Sequence, residues 1–331
     1  MRILATIIFL ILNSTILSAQ EKSPRYRLSV GEQYYMSQEL SQVTQTEEGN
    51  LIGNISLDIS NTLELDVSDV TAAGNYILDC RYTALELDFF APQSDIAISS
   101  SSSAFSPIKT YLNMLKGSPF TVLMSKHGEF LEIMGLDSTI NALSTQPDQE
   151  TGDRDTGEHK AGDVSPGAVK KKGYEDGETG ALIKKTIGDA FGAAALKSMA
   201  NTALHFYDDT AASTCVKKTE VLFSGRPIEI TNNFYYNKIQ DHSLRVQGVG
   251  VIRETTARIE LNEFVLVTSL KGNQTYDFLC DLRTGWPKEG MSKQKIHSLS
   301  GIRDHDELPE GLKIPSVTET EFSFTGGKRY E

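Results

Sequence analysis

This chain of 331 residues is short of several things. It has three cysteines, one tryptophan, six histidines and ten prolines. Three cysteines cannot make a disulfide scaffold, and an odd count leaves at least one thiol without a partner in the chain. The histidines, at 127, 159, 205, 242, 297 and 305, share no metal-ligand spacing, and no cysteine pair stands at zinc spacing. The nucleophile elbow, the phosphate loop and the zinc-helix motif are absent. Gly248-Val249-Gly250 lacks the third glycine of a phosphate cradle and leads into no helix pattern. Strand glycines of this kind mark close backbone approach. Positive charge is also scarce, with 32 Lys and Arg against 44 Asp and Glu and a net charge of -12. The basic residues are scattered apart from Lys170-Lys171-Lys172. A dispersed acidic surface repels phosphate backbones, which excludes nucleic acid as a partner.

Long hydrophobic runs are missing as well. Ile3–Leu12 is the longest, and it is too short for a bilayer span of about 20 residues. It follows Met1-Arg2 and precedes Ser18-Ala19-Gln20, the order of a secretory signal peptide over residues 1–20. We therefore expect export to the periplasm or beyond, cleavage after Ala19 or Gln20, and no transmembrane span in the mature chain. No cysteine follows the run, so the expectation includes no lipid anchor.

What is present is period-two alternation. Leu63, Leu65 and Val67 alternate with Glu64 and Asp66, the pattern of a half-buried antiparallel strand. Gly49-Asn50, Ala73-Gly74-Asn75 and Lys126-His127-Gly128 mark turns. Apolar and aromatic positions also recur at a constant offset of 200: Tyr35 with Tyr235, Leu65 with Val265, Tyr76 with Tyr276, Cys80 with Cys280. The offset suggests a β-module used twice. Because it is even, strands that are merely in phase would produce some of the same matches.

Between the halves the composition changes. Ser106, Pro107 and Gly117 bracket a short helix with Ile108, Leu112 and Leu115 on one face. Residues 146–180 are rich in Gly, Asp, Glu and Lys and almost devoid of large apolar side chains, so we expect a disordered loop. Asp148, Glu150, Asp153 and Asp155 in it do not have calcium-loop spacing, and Asp304, Asp306 and Glu307 read as a solvated loop. Ile183, Ile187, Ala190, Phe191, Ala194 and Ala195 recur at helical spacing and predict one long helix over 181–207. The domain reading is a first β-rich half at 21–145 with short helices, the loop, the helix, and a second β-rich half at 208–331.

Cys80 and Cys280 each share a strand face with aromatic and aliphatic residues. Two readings stay open for them: a Cys80–Cys280 disulfide, or two buried cysteines acting as small hydrophobes. Cys215 reads as a free thiol. Asp281-Leu282-Arg283-Thr284-Gly285-Trp286 is a turn signal, with the single Trp covering the end of a sheet.

Tyr26-Arg27-Leu28-Ser29-Val30-Gly31, Gly74-Asn75-Tyr76, Phe120-Thr121-Val122-Leu123-Met124 with Gly128, Glu129 and Gly135, and Asp281 with Thr284-Gly285-Trp286 carry a resemblance. With them the chain resembles an uncharacterised family of exported Bacteroidota proteins filed under a domain of unknown function. Many members carry a lipidated cysteine, which this chain lacks. The resemblance implies no activity.

The expected fold is α+β: antiparallel β-sheets from two related halves, with the inserted helices packed on one face. The expected role is non-enzymatic, with no cofactor, no metal and no catalytic residue. In the leading reading an exported envelope protein binds an apolar ligand between sheet and helix. The alternative is a structural or protein-interaction module of the envelope.

Overall fold

The computed structural model describes residues 25–48, 51–92, 96–101, 106–142, 185–209, 213–223, 226–239, 242–260, 265–303 and 312–329. The signal-peptide expectation, the Gly49-Asn50 turn, the 146–180 loop, Asp304, Asp306 and Glu307 lie outside these residues.

One antiparallel sheet of twelve strands dominates. The first half of the chain contributes β1 (Gln33–Glu48), β2 (Leu51–Val70), β3 (Tyr76–Ala91), β4 (Ile96–Ser99), β5 (Pro119–Met124) and β6 (Phe130–Met134). The second contributes β7 (Thr214–Phe223), β8 (Arg226–Ile239), β9 (Ser243–Glu260), β10 (Val265–Asp281), β11 (Pro287–Arg303) and β12 (Leu312–Lys328). The order is β6-β5-β3-β2-β1-β12-β11-β10-β9-β8-β7, with β4 paired to β3. Each half is a meander, and the halves join where β1 pairs with β12 from Tyr34↔Lys328 to Thr46↔Ser316.

The expected antiparallel β-structure with a few helices is present, but it forms one sheet, and the architecture is largely β rather than α+β. The chain does fall into two halves, but the gap-free offset does not follow the strands. It carries Ile59 of β2 to Ile259 in β9, yet carries Leu65 of the same strand to Val265 in β10. Tyr76 opens β3, whereas Tyr276 sits inside β10. An even offset preserves which face a residue points to and says nothing about where strands turn.

The turns form where glycine supplies a positive φ. Gly74 (φ 79) and Gly128 (φ 90) each donate a backbone N–H to the carbonyl three residues back, at 2.8 and 2.9 Å. Alternation sorts the faces: Tyr76, Leu78, Cys80 and Tyr82 of β3 are buried and the residues between them are not. A bulge where Leu63 pairs with Tyr82 and Thr62 with Ala84 inserts one residue, after which Leu85 and Leu87 are the inward ones.

The helices α1 (Ser106–Leu115), α2 (Leu136–Ala142) and α3 (Ala193–Leu204) are added to the sheet. α1 buries Ile108, Leu112 and Leu115, as its spacing predicts, and the chain leaves it through Gly117 (φ 76). The long helix expected over 181–207 is interrupted. Residues 185–191 are helical, Gly192 takes an extended ψ of 172°, and α3 begins at Ala193. The break is held from outside, because Asp137 of α2 accepts the Ala193 N–H at 2.9 Å and so caps a new helix start. No described helix is long and apolar enough to cross a membrane.

α3 lies against β6, β7 and β11. A short helix touches both edges and an inner strand of so wide a sheet only if the sheet curls around it. The protein is therefore an unclosed barrel with α3 in the gap.

Candidate functional site

The inner face has an aromatic floor at one end. Trp286 packs on Tyr34 at 4.8 Å between ring centroids and on Tyr26 at 6.1 Å, and Phe206 stacks on Phe278 at 5.9 Å. Gly285 (φ 75) makes the turn that delivers Trp286, and its carbonyl accepts the Tyr207 hydroxyl at 2.9 Å. The expectation that Trp286 covers a sheet end matches this position. Gly248 lies under the Phe234 ring, which a Cβ there would strike. That explains the strand glycine as close approach rather than as a phosphate loop.

Tyrosine hydroxyls pin the helical segment to this floor. Tyr26 donates to the Leu204 carbonyl at 2.9 Å, Tyr82 to that of Phe191 at 3.1 Å, and Tyr236 to that of Phe206. Phe191 and Leu204 are the last residues of their helical stretches and Phe206 lies just beyond α3, so each hydroxyl meets a carbonyl where the helical ladder stops. The seam is closed on the β6 side by side chains of α3: Asn201 accepts the Phe130 N–H at 2.8 Å and Lys197 donates to the Leu131 carbonyl at 3.2 Å. On the β7 side a polar cleft of about 350 Å3 remains, with His205, Glu129, Lys218 and Glu229 on its walls. Burial pushes the His205 pKa down to about 4, and the positive charge of Lys217 adds to the shift.

Above the floor the lining changes character. A recess of about 70 Å3 separates α3 from the sheet. Gln42, Gln274, Gln294, Ser292, Ser198 and Thr202 give it hydrogen-bonding groups. Leu40, Met199 and Phe322 form its apolar side. Gln274 donates to Ser292 at 2.6 Å and accepts from Gln294 at 3.2 Å. Next to the recess, Gln38 of β1 faces Asn61 of β2. Both are 0% exposed, and neither amide atom of Gln38 nor the Asn61 oxygen has a partner among the described residues. An unpartnered buried amide costs roughly 1–3 kcal/mol per group. The sequence reading missed Gln38, although a glutamine in phase between Met36 and Leu40 was a signal. Beyond the recess, Ile228, Ile230, Ile252, Leu270 and Ile296 form a second apolar cluster that contains no helix residue.

The sequence-flagged cysteines do not meet at this site. Cys80, Cys215 and Cys280 are free and buried. Cys80 lies in β3 and Cys280 in β10, with β2, β1, β12 and β11 between them. Burial raises the Cys215 thiol to about 11 and that of Cys280 to about 12, so neither is an activated nucleophile. Among the described residues no three His, Cys, Asp or Glu gather where they could hold a metal.

A model of a family of unknown function, DUF6263, matches residues 73–159 and 159–287. The chain belongs to that family. The two adjacent matches fit a chain of two halves. No curated protein matches the sequence. Among solved structures this DUF6263 chain is similar to lipovitellin, from a study of lipid–protein interactions, at 10% identity and a TM-score of 0.44. The match covers 92% of this chain and 26% of lipovitellin's, so the chain spans about a quarter of that protein. It is also similar to the COG4313 outer membrane channel of Pseudomonas putida F1, at 8% identity and a TM-score of 0.20, over 92% of this chain and 98% of the channel.

Proposed function

We propose that this chain is a non-enzymatic, exported protein of the cell envelope that holds an apolar or amphipathic ligand between the inner face of its curved sheet and α3. The observation that carries the reading is the cover over the recess. α3 fills a gap in an unclosed barrel, and beneath it lie the buried amides of Gln38 and Asn61, whose one hydrogen bond to α3 runs from Asn61 Nδ2 to Met199 Sδ at 3.9 Å while both Gln38 amide atoms and the Asn61 oxygen have no partner among the described residues. Ligand pockets usually occupy about 300–1,000 Å3, so a recess of about 70 Å3 takes a whole ligand only when α3 moves outward. The hydrogen bonds it would break at the β6 seam are few and involve Asn201 and Lys197. Export rests on the signal-like residues 1–20. The test is saturable binding of the environment-sensitive dye N-phenyl-1-naphthylamine to the purified protein, with fluorescence enhancement at one dye per chain. Absence of saturable binding rules the reading out.

A second reading, an envelope interaction module, has one observation in its favour. Val216, Tyr235, Val249 and Val251 are all more than 40% exposed on β7, β8 and β9 beside the sheet edge. Exposed apolar groups at an edge strand are suited to a protein partner.

A further inference from the structure

The inner face carries no charge over most of its width. Inward positions alternate along each strand and are matched across the sheet by the pairing register. They are residues 34–44 of β1, 55–67 of β2, 266–280 of β10, 290–300 of β11 and 314–326 of β12 in steps of two. None is Asp, Glu, Lys, Arg or His. The inward side of β3, from Tyr76 to Leu87, is also uncharged. Yet 23% of the chain is charged, and Glu39, Asp58, Glu86 and Glu321 occupy the outer face of the same strands. What the inner face offers instead is amides and hydroxyls, which both donate and accept hydrogen bonds.

This pattern selects among ligands. A carboxylate, phosphate or ammonium entering the recess would shed its hydration with no counter-charge to meet it, which is the costliest form of polar burial. A hydroxyl pair would find Gln42, Gln274 and Gln294 on one side, and the recess has room for about two water-sized groups. Gln38 and Asn61 lie one inward step from Leu40 and Ile59 and bring further unpartnered amide atoms close to it.

Building on the ligand-carrier reading, we propose that the recess takes the uncharged, hydroxyl-bearing part of the ligand, a glycerol-like polyol, in preference to an ionised headgroup. The same chemistry is offered by a monoacylglycerol headgroup and by free glycerol.

Three probes separate the cases on the full mature chain: 1-monooleoylglycerol, oleate and free glycerol. The first two are read by displacement of N-phenyl-1-naphthylamine and the third by calorimetry. The expected result is displacement by the monoacylglycerol at a concentration at least about tenfold below that for oleate. Gln274→Leu should narrow this gap to about threefold or less, and Gln294→Leu serves if that variant fails to fold. Binding of free glycerol as tight as that of the monoacylglycerol also supports the inference and makes the ligand a soluble polyol. Oleate displacing the dye as well as or better than the monoacylglycerol overturns the inference and leaves the carrier reading standing. A dye that does not bind at all overturns both.

Discussion

The side-chain oxygen of Asn201 in α3 accepts the backbone N–H of Phe130 in β6 at 2.8 Å. A helix thereby satisfies the ladder group that a missing neighbour strand would otherwise take. Asn201 is 7% exposed, so truncation leaves that N–H buried without a partner. Asn201→Ala should cost about 1–3 kcal/mol in urea unfolding. A loss below a few tenths would mean that α3 does not close the seam as described.

Gln38 predicts the opposite sign. Its amide is buried and neither atom has a partner, so Gln38→Leu, which keeps most of the volume, should stabilise the ligand-free protein by about 1 kcal/mol. Chemical denaturation of delipidated protein reads this directly. Destabilisation would show that bound water or a retained ligand satisfies the amide.

His205 makes stability depend on pH. Its folded pKa is about 4 against 6.5 when exposed, and its side chain is 12% exposed. Between these values the unfolded chain binds the extra proton, so stability is fully present above pH 6.5 and falls as the pH drops toward 4. The loss from pH 7 to pH 5 should be roughly 2 kcal/mol, at about 1.4 per pH unit below 6.5. His205→Gln should flatten that slope, and an unchanged slope would assign it to the carboxylates.

The cysteines should behave as three buried thiols. Ellman titration of the native, unreduced protein should proceed slowly, and in denaturant it should release three equivalents, for Cys80, Cys215 and Cys280. One equivalent in denaturant without reductant would establish a disulfide.

Local signals were legible in the sequence. The alternation in Leu63, Leu65 and Val67 marks a strand, the glycines at 74 and 128 mark turns, and Ile108, Leu112 and Leu115 mark the buried side of a helix. The single sheet was not legible, because its central seam pairs Tyr34 with Lys328, and no local pattern encodes a partner so far along the chain. The break at Gly192 was hidden because the cap comes from Asp137, on another helix. The recess was the least legible part. Its glutamines, Gln42, Gln274 and Gln294, come one each from β1, β10 and β11 and become a group only when those strands are placed side by side.

The most direct measurement is native mass spectrometry of the protein purified from its own cells without detergent. We expect a folded chain carrying an extra few hundred daltons that organic extraction removes and that proves to be a neutral, hydroxyl-bearing amphiphile. A folded chain at its bare polypeptide mass, before any extraction, would contradict this expectation.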